Sequence, residues 1–441
     1  MKHEKTVQTG APVFTEEMKH THTILIPDML PLHFSFIEQI LRQDGYKTHI
    51  LKNEGPAVVE AGLKYVHNDM CYPAIIVIGQ MMQALESGDF DPEKTALMIT
   101  QTGGGCRASN YIHLLRKALD KAGFHKVPVI SLNVSGLSPS PGFKITVPFL
   151  LKAMTAVIVG DFLMMIKNQC EPYEVHSGDT EKVIQKWQAF FLKKWETGSL
   201  TTFGYLKKYF PQILDDFAAV EKREERRPRV GIVGEIYVKY SPIGNNHLED
   251  FLVSEGAEVV VPGLLDFCLY CVYNGVVDQK LYGGKAVKAK ISKIAYHYLT
   301  KRQNSMYKIV KDHGVFRAPL GFSEKKDITE QYIGQGVKMG EGWLLTSEMA
   351  ELVTEGVKNI VCTQPFGCLP NHIVAKGMQN KIKAIHPDAN IVAVDYDPGA
   401  SQVNQQNRIK LMLANAKMDD VEQTEEKEIT VPATGGITVE M

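Results

Sequence analysis

Two segments of the chain share one order of apolar and polar positions. Residues 22–29 form a short apolar run, which is followed by a loop, an amphipathic stretch with helical spacing and another apolar run. Residues 229–238 open a second segment with the same order. Gly45 and Gly256 stand where the amphipathic stretches end, and glycine is the usual residue just after a helix. Each segment therefore predicts a strand, a loop, a helix and a second strand.

Further apolar runs extend both units. The first unit continues through TALMITQTGG and VPVISLNVSG, and the second continues through NIVCTQPFGC and NIVAVDYDPG. Short apolar strands that alternate with helices are typical of parallel sheets with helices on both faces. The pattern therefore predicts an α/β protein with two doubly wound parallel-sheet domains.

The segments between and around these units differ in composition. Residues 181–227 almost lack strand signals, and EKVIQKWQAFFLKKWE has apolar residues at helical spacing. Residues 286–310 predict a helix inserted in the second unit. From residue 417 the chain becomes acidic and loses its helical period, which is typical of a loose tail. The predicted organisation is a flexible N-terminus (1–21), a first α/β domain (22–170), a helical connector (171–228), a second α/β domain (229–416) and a loose acidic tail (417–441).

Composition excludes several classes of protein. The 441 residues are 44% hydrophobic and 22% charged, as in a soluble protein of two or three domains. The net charge is −1, and residues 221–227 mix both signs, so we expect no nucleic-acid partner. We find no apolar run near the ~18–20 residues of a membrane span, and the N-terminus lacks the apolar core of a signal peptide. A cytoplasmic protein with reduced thiols and no membrane partner is therefore expected.

Three of the seven cysteines stand at predicted helix starts. Cys71 and Cys368 each lie two residues before a proline, and proline is favoured in the first turn of a helix. Cys106 follows three glycines at a strand end. In doubly wound sheets the loops after the strands form the binding crevice, and a helix N-terminus stabilises a thiolate. These three cysteines therefore predict one functional site.

The other four cysteines give weaker signals. Cys362 falls on a predicted buried strand, where it could be a core residue or a ligand. Cys170 lies in an apolar helix and is expected in the core. Cys268 and Cys271 have CxxC spacing, but no second pair matches it, so we expect them in the core as well.

The spacing of the three cysteines favours one kind of metal chemistry. Structural zinc usually takes close pairs, whereas these cysteines are far apart in the sequence. Three or four thiolates in a crevice suit an iron–sulfur cluster, and three protein thiolates leave one iron open to substrate or water. A thiol nucleophile with a histidine base is the alternative, and His372, four residues after Cys368, is the nearest candidate.

Three segments carry a resemblance to a known family. TGGGCRASNYIHLLRKAL, PFGCLPNHIVAKGM and VDYDPGASQVNQQNRIKLMLANA resemble the proteins related to the activators of 2-hydroxyacyl-CoA dehydratases. More distantly, the chain resembles the iron–sulfur subunits of those dehydratases and the double-cubane cluster proteins, over residues 22–416. The resemblance implies flavodoxin-like or Rossmann-like domains around a [4Fe–4S] or double-cubane cluster. By position it implies Cys71, Cys106 and Cys368 as ligands, with Cys362 as an additional candidate.

The resemblance also implies partners and a role. An ATP-hydrolysing activase would drive low-potential electrons into the cluster, and this chain has no GxxxxGK[ST] loop, so the activase would be a separate chain. The expected protein passes those electrons to a small-molecule or acyl-CoA substrate, and a homodimer or heterodimer is its candidate assembly. The alternatives are a 2-hydroxyacyl-CoA dehydratase subunit proper and a metal-free α/β binding module.

Electron delivery to a substrate requires a nearby proton donor. His372 and Asn371 are the catalytic candidates, because both follow Pro370 in the first turn of the helix that Cys368 introduces. In the alternative interpretation, Asn371 pairs with backbone groups and His372 faces solvent.

Overall fold

Two parallel sheets organise the protein. The computed structural model describes residues 11–101, 105–132, 140–198 and 203–429. Within these residues the backbone forms eight strands in two sheets, and every ladder between neighbouring strands is parallel. The strands are β1 (Thr23–Pro27), β2 (Lys47–Leu51), β3 (Thr95–Thr100), β4 (Val129–Leu132), β5 (Arg229–Gly234), β6 (Glu258–Val260), β7 (Asn359–Pro365) and β8 (Asn390–Tyr396).

The two sheets repeat one topology. Their strand orders are β2-β1-β3-β4 and β6-β5-β7-β8, so each sheet has its first strand inside and its second strand at the edge. The registers agree as well, since Thr23 pairs with Lys47 in the first sheet and Arg229 pairs with Glu258 in the second. The repeated order confirms the α/β class and the two similar units that the apolar pattern predicts.

Helices make up most of the remaining structure. Gly45 and Gly256 have φ of 89° and 85°, the left-handed conformation that ends the helices before them. The α-helices are α1 (Met18–Thr21), α2 (Pro31–Gln43), α3 (Pro56–Tyr65), α4 (Tyr72–Glu86), α5 (Tyr111–Ala122), α6 (Val147–Cys170), α7 (Asp179–Glu196), α8 (Phe203–Leu206), α9 (Phe210–Ala218), α10 (Ile236–Tyr240), α11 (Pro242–Asn245), α12 (Leu248–Ser254), α13 (Leu264–Tyr282), α14 (Ala286–His313), α15 (Phe322–Thr329), α16 (Trp343–Thr354), α17 (Leu369–Val374), α18 (Gln379–Ile385) and α19 (Gln402–Ile429).

The connector and the insertion are helical, as their spacing predicts. Residues 171–228 contain α7, α8 and α9, and α14 extends over the predicted inserted helix. The long helix α6 contacts α2 of the first unit and α13 and β6 of the second. Buried side chains of both units also belong to the same hydrophobic clusters. The two sheets therefore share a continuous core.

One helix differs from the expectation about membrane spans. In the described residues, the segment Val147–Tyr173 is long and apolar enough to cross a membrane by length and composition, so the expectation that no such run exists was wrong. However, 72% of its most apolar window is buried inside the protein. Asp161 in its middle accepts hydrogen bonds from the N–H groups of Leu264 and Leu265, both at 2.8 Å. These features are typical of a core helix rather than a lipid-facing one.

The two ends also differ from the predicted flexible segments. Phe14 is fully buried, and its carbonyl accepts a hydrogen bond of 2.9 Å from Gly142 N–H. Helix α19 continues to Ile429 through the acidic run, because Glu, Gln and Lys are good helix formers even without an apolar face. Residues 1–10 and 430–441, which complete the two predicted segments, lie outside the described residues.

Candidate functional site

Each of the three predicted cysteines stands at the start of a helix. Cys71 is the N-cap of α4 and Cys368 is the N-cap of α17, and both helices have proline in their first turn. Cys106 is the N-cap of a 3₁₀ turn, Arg107–Asn110, that leads into α5. All three positions follow the local prediction from the proline and glycine pattern.

Backbone contacts bring the three helix starts together. Tyr72 N–H donates a hydrogen bond of 3.0 Å to Phe366 O, and a Cβ on Gly367 would lie 3.0 Å from Cys71 Cα. The loop that ends at Cys368 therefore lies directly on the start of α4. A Cβ on Gly340 would lie 3.7 Å from Cys106 Sγ and 3.1 Å from Cγ of Pro370 in α17. Gly340 thus separates Cys106 from the helix that Cys368 introduces.

The site lies where strands of both sheets end. Cys106 follows β3, and Cys368 follows β7 by three residues. Glu235 comes directly after β5, the neighbour of β7 in the second sheet. Carboxyl ends of parallel strands meet at one edge of a sheet, which is the usual position of a binding crevice. Cys106 and Cys368 therefore lie at such an edge, and Cys71 is brought to them by the loop of Gly367 rather than by a strand end.

Sequence reasoning missed two acidic residues at this place. Glu341 is 6% exposed, and its Oε1 accepts a hydrogen bond of 2.9 Å from Ile236 N–H. Oε2 of Glu235 accepts one of 2.9 Å from Val238 N–H and so caps α10. The available signals were an acidic residue directly after an apolar strand and another inside the glycine-rich stretch IGQGVKMGEGW. We call Cys71, Cys106, Cys368, Glu235 and Glu341 the cysteine site.

Burial controls the ionisation of the three thiols. It raises the pKa of Cys106 to about 11 and also raises the pKa of Cys71 and Cys368. Backbone N–H groups at each helix start lower the same pKa values, as expected for a helix N-terminus, but burial outweighs them. The helix start alone therefore does not make these thiols thiolates, and a positive charge in the site is needed to do so.

The two carboxyl groups make the three thiols still weaker acids. Glu341, followed by Glu235, raises the pKa of both Cys106 and Cys368, while Glu235 raises that of Cys71. Burial, with the charge of Glu341 as the second cause, raises the pKa of Glu235 to about 8. Fully ionised, these five groups would be five negative charges in a largely buried place. Such a set favours a multiply charged cationic group as its partner.

Two polar side chains hold the rim of the site. The hydroxyl of Tyr111 and Sγ of Cys71 share a hydrogen bond of 2.8 Å. Nη1 of Arg107 donates a hydrogen bond of 2.6 Å to Asp69 O, and this guanidinium lies near Gly367. Arg107 thereby ties the segment after Cys106 to the segment before Cys71.

The three thiols of the cysteine site are chemically suitable ligands for an iron–sulfur cluster. Among the described residues, no three His, Cys, Asp or Glu side chains converge closely enough to hold one metal ion. Ligands of a cluster are separated by the width of the cluster, so they need not converge on one point. Thiolates are the usual ligands of such clusters, and Cys71, Cys106 and Cys368 provide three of them.

Cys362 lies in a different environment. It is fully buried on β7, in the core cluster that contains Ile360 and Met349. Its Sγ lies 3.8 Å from Oδ1 of Asn371, and burial raises the pKa of its thiol to about 12. The described contacts do not bring Cys362 to the other three predicted ligands.

The two candidate proton donors occupy contrasting positions. Asn371 is fully buried, and its Nδ2 donates a hydrogen bond of 2.9 Å to Thr363 O. His372, the next residue, is exposed to solvent. The amide of Asn371 therefore links α17 to β7, which is the structural role that the alternative interpretation gave to it.

Of the remaining cysteines, Cys271 lies close enough to the site for Glu341, after burial, to raise its pKa. Cys170 is fully buried, and its Sγ lies 3.6 Å from Phe217 O, which confirms the core prediction for this residue. Cys268 is half-buried and Cys271 is exposed, so the core prediction was wrong for Cys271. It fails because α13 turns one side of its apolar sequence outwards.

Comparison with known proteins adds no relative. No protein-family model matches the chain, and no curated protein matches it.

Proposed function

We propose that Cys71, Cys106 and Cys368 hold an iron–sulfur cluster, of [4Fe–4S] or double-cubane type. The proposed protein accepts low-potential electrons from a separate ATP-hydrolysing activase and passes them to a bound small-molecule or acyl-CoA substrate. One observation carries this proposal: Cys106 and Cys368 follow the ends of strands from different sheets, and the loop of Gly367 brings Cys71, at the start of α4, beside them. Local sequence patterns predict each cysteine at a helix start separately. A cluster requires in addition that the three cysteines lie together in one site.

The chain's own residues would perform three tasks around this group. The cysteines hold it, and the bound cluster supplies an electron at low potential. The segment of Gly340 would lie against Cys106 Sγ and the loop of Gly367 against the backbone of Cys71, and both would limit the access of water. Glu235, whose pKa is raised to about 8, retains a proton on its carboxyl group near neutral pH. These features suit electron delivery with protons held close by.

The finer description of the fold is also a proposal. The order β2-β1-β3-β4 matches the first four strands of the flavodoxin-like order, and the second sheet repeats it. We infer two flavodoxin-like domains that face each other across the cysteine site, in a cytoplasmic protein. A 2-hydroxyacyl-CoA dehydratase subunit proper is the second candidate, and a metal-free binding module built on the same fold is the third.

Anaerobic reconstitution with iron and sulfide tests the proposal. The wild-type protein should become brown and contain iron and sulfide in near-equal amounts. Cys71→Ala, Cys106→Ala and Cys368→Ala should each lose or strongly perturb the cluster, whereas the matched control Cys170→Ala should retain it. A colourless wild-type protein without iron would refute the cluster.

The partner can be tested separately. The pure protein should not hydrolyse ATP, because no phosphate-binding loop of the GxxxxGK[ST] type is present in the sequence. ATP turnover by the pure wild-type protein would contradict a separate activase.

A further inference from the structure

The long helix α14 has a second apolar face, which no part of the described chain covers. Its inner face carries Tyr296, Leu299 and Met306, which are buried in the large hydrophobic cluster that also contains residues of α13. On the opposite side of the helix, four apolar side chains are exposed to solvent, with exposed fractions between 38% and 72%. We call these four residues the α14 stripe: Val287, Ile291, Ile294 and Tyr298.

The α14 stripe has the spacing of a coiled-coil seam. Its residues follow one another at intervals of four, three and four positions, which is the alternation of the a and d positions in a heptad. Residues with this spacing lie along one line on the surface of a helix. The stripe is therefore a ridge of side chains that can fit into the holes between the side chains of a second helix.

The charged residues beside the stripe are all basic. From residue 279 to residue 311 the sequence has eight lysines and one arginine but no aspartate or glutamate, although the net charge of the chain is only −1. By helical spacing, Lys290 and Lys301 lie along one side of the stripe and Lys288 lies along the other. These lysines are exposed, and in the described part of the chain none of the three forms an ion pair.

The apolar seam and its basic flanks together define the chemistry of the partner. In coiled coils the charges beside the seam determine which helices pair, so basic flanks favour a helix with acidic flanks. A second copy of α14 would bring lysines opposite lysines, which is unfavourable. A membrane-bound amphipathic helix inserts a broad apolar face, whereas the inner face of α14 packs in the core and only a narrow ridge protrudes.

We propose that the α14 stripe is a docking surface for an acidic amphipathic helix of a partner protein. The apolar seam of that helix covers the stripe, and its carboxylates pair with Lys288, Lys290 and Lys301. One end of the stripe already has a fixed orientation, because the guanidinium of Arg302 lies 4.0 Å from the ring centroid of Tyr298. This inference does not rest on the proposed cluster.

A synthetic helical peptide tests the surface directly. The probe is a peptide of three heptads with Leu at positions a and d and Glu at positions e and g, and the control peptide has Lys in place of each Glu. Each peptide carries a fluorophore and is titrated with the full-length, cluster-free protein, and fluorescence anisotropy measures binding. The acidic peptide should bind at least about tenfold more tightly than the basic peptide, and high salt should weaken its binding by about tenfold.

Substitutions in the protein separate the seam from the charges. Ile291→Asp should weaken binding of the acidic peptide at least about tenfold, because it places a carboxylate in the seam, and Ile294→Asp repeats the test at a second position. Lys290→Glu should weaken binding of the acidic peptide and strengthen binding of the basic one. The matched control is Leu411→Asp, which changes an equally exposed side chain on α19 and should bind like the wild type. Circular dichroism of each variant checks that the fold is retained.

Three results would overturn the proposal. The first is that the acidic peptide does not bind, or binds no better than the basic one. The second is a wild-type dimer in analytical ultracentrifugation that Ile291→Asp dissociates, because the occupant of the stripe is then a second copy of the chain. The third is binding to phosphatidylglycerol vesicles that Ile291→Asp abolishes while the acidic peptide does not compete, because the stripe then binds an anionic membrane surface.

Discussion

The carboxyl group of Glu235 should destabilise the cluster-free protein at neutral and alkaline pH. Burial raises its pKa from 4.5 to about 8 in the folded state. Between these values the folded protein binds a proton that the unfolded chain has lost, so stability is fully present below pH 4.5 and falls as the pH rises through 8. Glu235→Gln removes this titration. The variant should therefore be more stable than the wild type at pH 8, with a much smaller difference at pH 5.

The size of the effect follows from the pKa shift. Each pKa unit corresponds to about 1.4 kcal/mol, so a rise of about 3.5 units amounts to about 5 kcal/mol at pH 8 and less than about 1 kcal/mol at pH 5. The side chain is only half-buried, so solvent screens part of this energy. Weaker capping of α10 by glutamine costs about 1 kcal/mol. We therefore expect a net stabilisation of about 2–3 kcal/mol at pH 8.

Urea unfolding of the cluster-free proteins at the two pH values measures this difference. The midpoint for Glu235→Gln should exceed the wild-type midpoint at pH 8, and the two midpoints should lie close together at pH 5. Glu258→Gln serves as the control for the loss of another buried carboxylate. A difference of equal size at both pH values would refute the reasoning, because an effect without pH dependence cannot come from the titration of Glu235.

Three further predictions concern individual residues of the site and its neighbourhood. Gly340→Ala should reduce the iron content after reconstitution and lower the free energy of unfolding by at least about 1 kcal/mol, because the new Cβ would lie 3.1 Å from Pro370 at a φ of 59°. Gly283→Ala is the control for backbone strain alone, since Gly283 has a φ of 66° and open space around it. Cys362→Ala should keep the full iron content, while a cavity lowers its melting temperature; loss of iron would show that it is a ligand after all. In the cluster-free protein at pH 8, Cys106 should react slowly with iodoacetamide because its pKa is about 11, and Glu341→Gln should accelerate the reaction by lowering that pKa. Mass spectrometry of the modified peptide measures the rate, and an unchanged rate would contradict the electrostatic coupling between Glu341 and Cys106.

Local patterns in the sequence determine much of this protein. Apolar runs of strand length predict β1, β3, β5 and the other strands, because a strand buried on both faces must be apolar throughout. Prolines two residues after Cys71 and Cys368 predict their helix starts, because proline fits only the first turn of a helix. These signals are local, so neighbouring residues suffice to establish them.

Local patterns do not determine which part of the folded protein a side chain packs against. Cys362 and Cys368 are six residues apart, yet one packs in the core of the second sheet and the other lies in the cysteine site. Helix α6 has the composition of a membrane span, but the connector and the second sheet cover it. In both cases the apolar character of the segment is visible in the sequence. The residues that it packs against are distant in the sequence, so only folding determines them.

Only the tertiary structure determines the electrostatics of the site. The sequence favours thiolates, because a helix N-terminus lowers the pKa of a cysteine. The folded protein raises those pKa values instead, because burial removes water from the sulfurs and brings Glu235 and Glu341 beside them. These two residues are 106 positions apart in the sequence, and neither lies near a cysteine in sequence. Desolvation and Coulomb interaction depend on distance in space, so they arise only when the chain has folded.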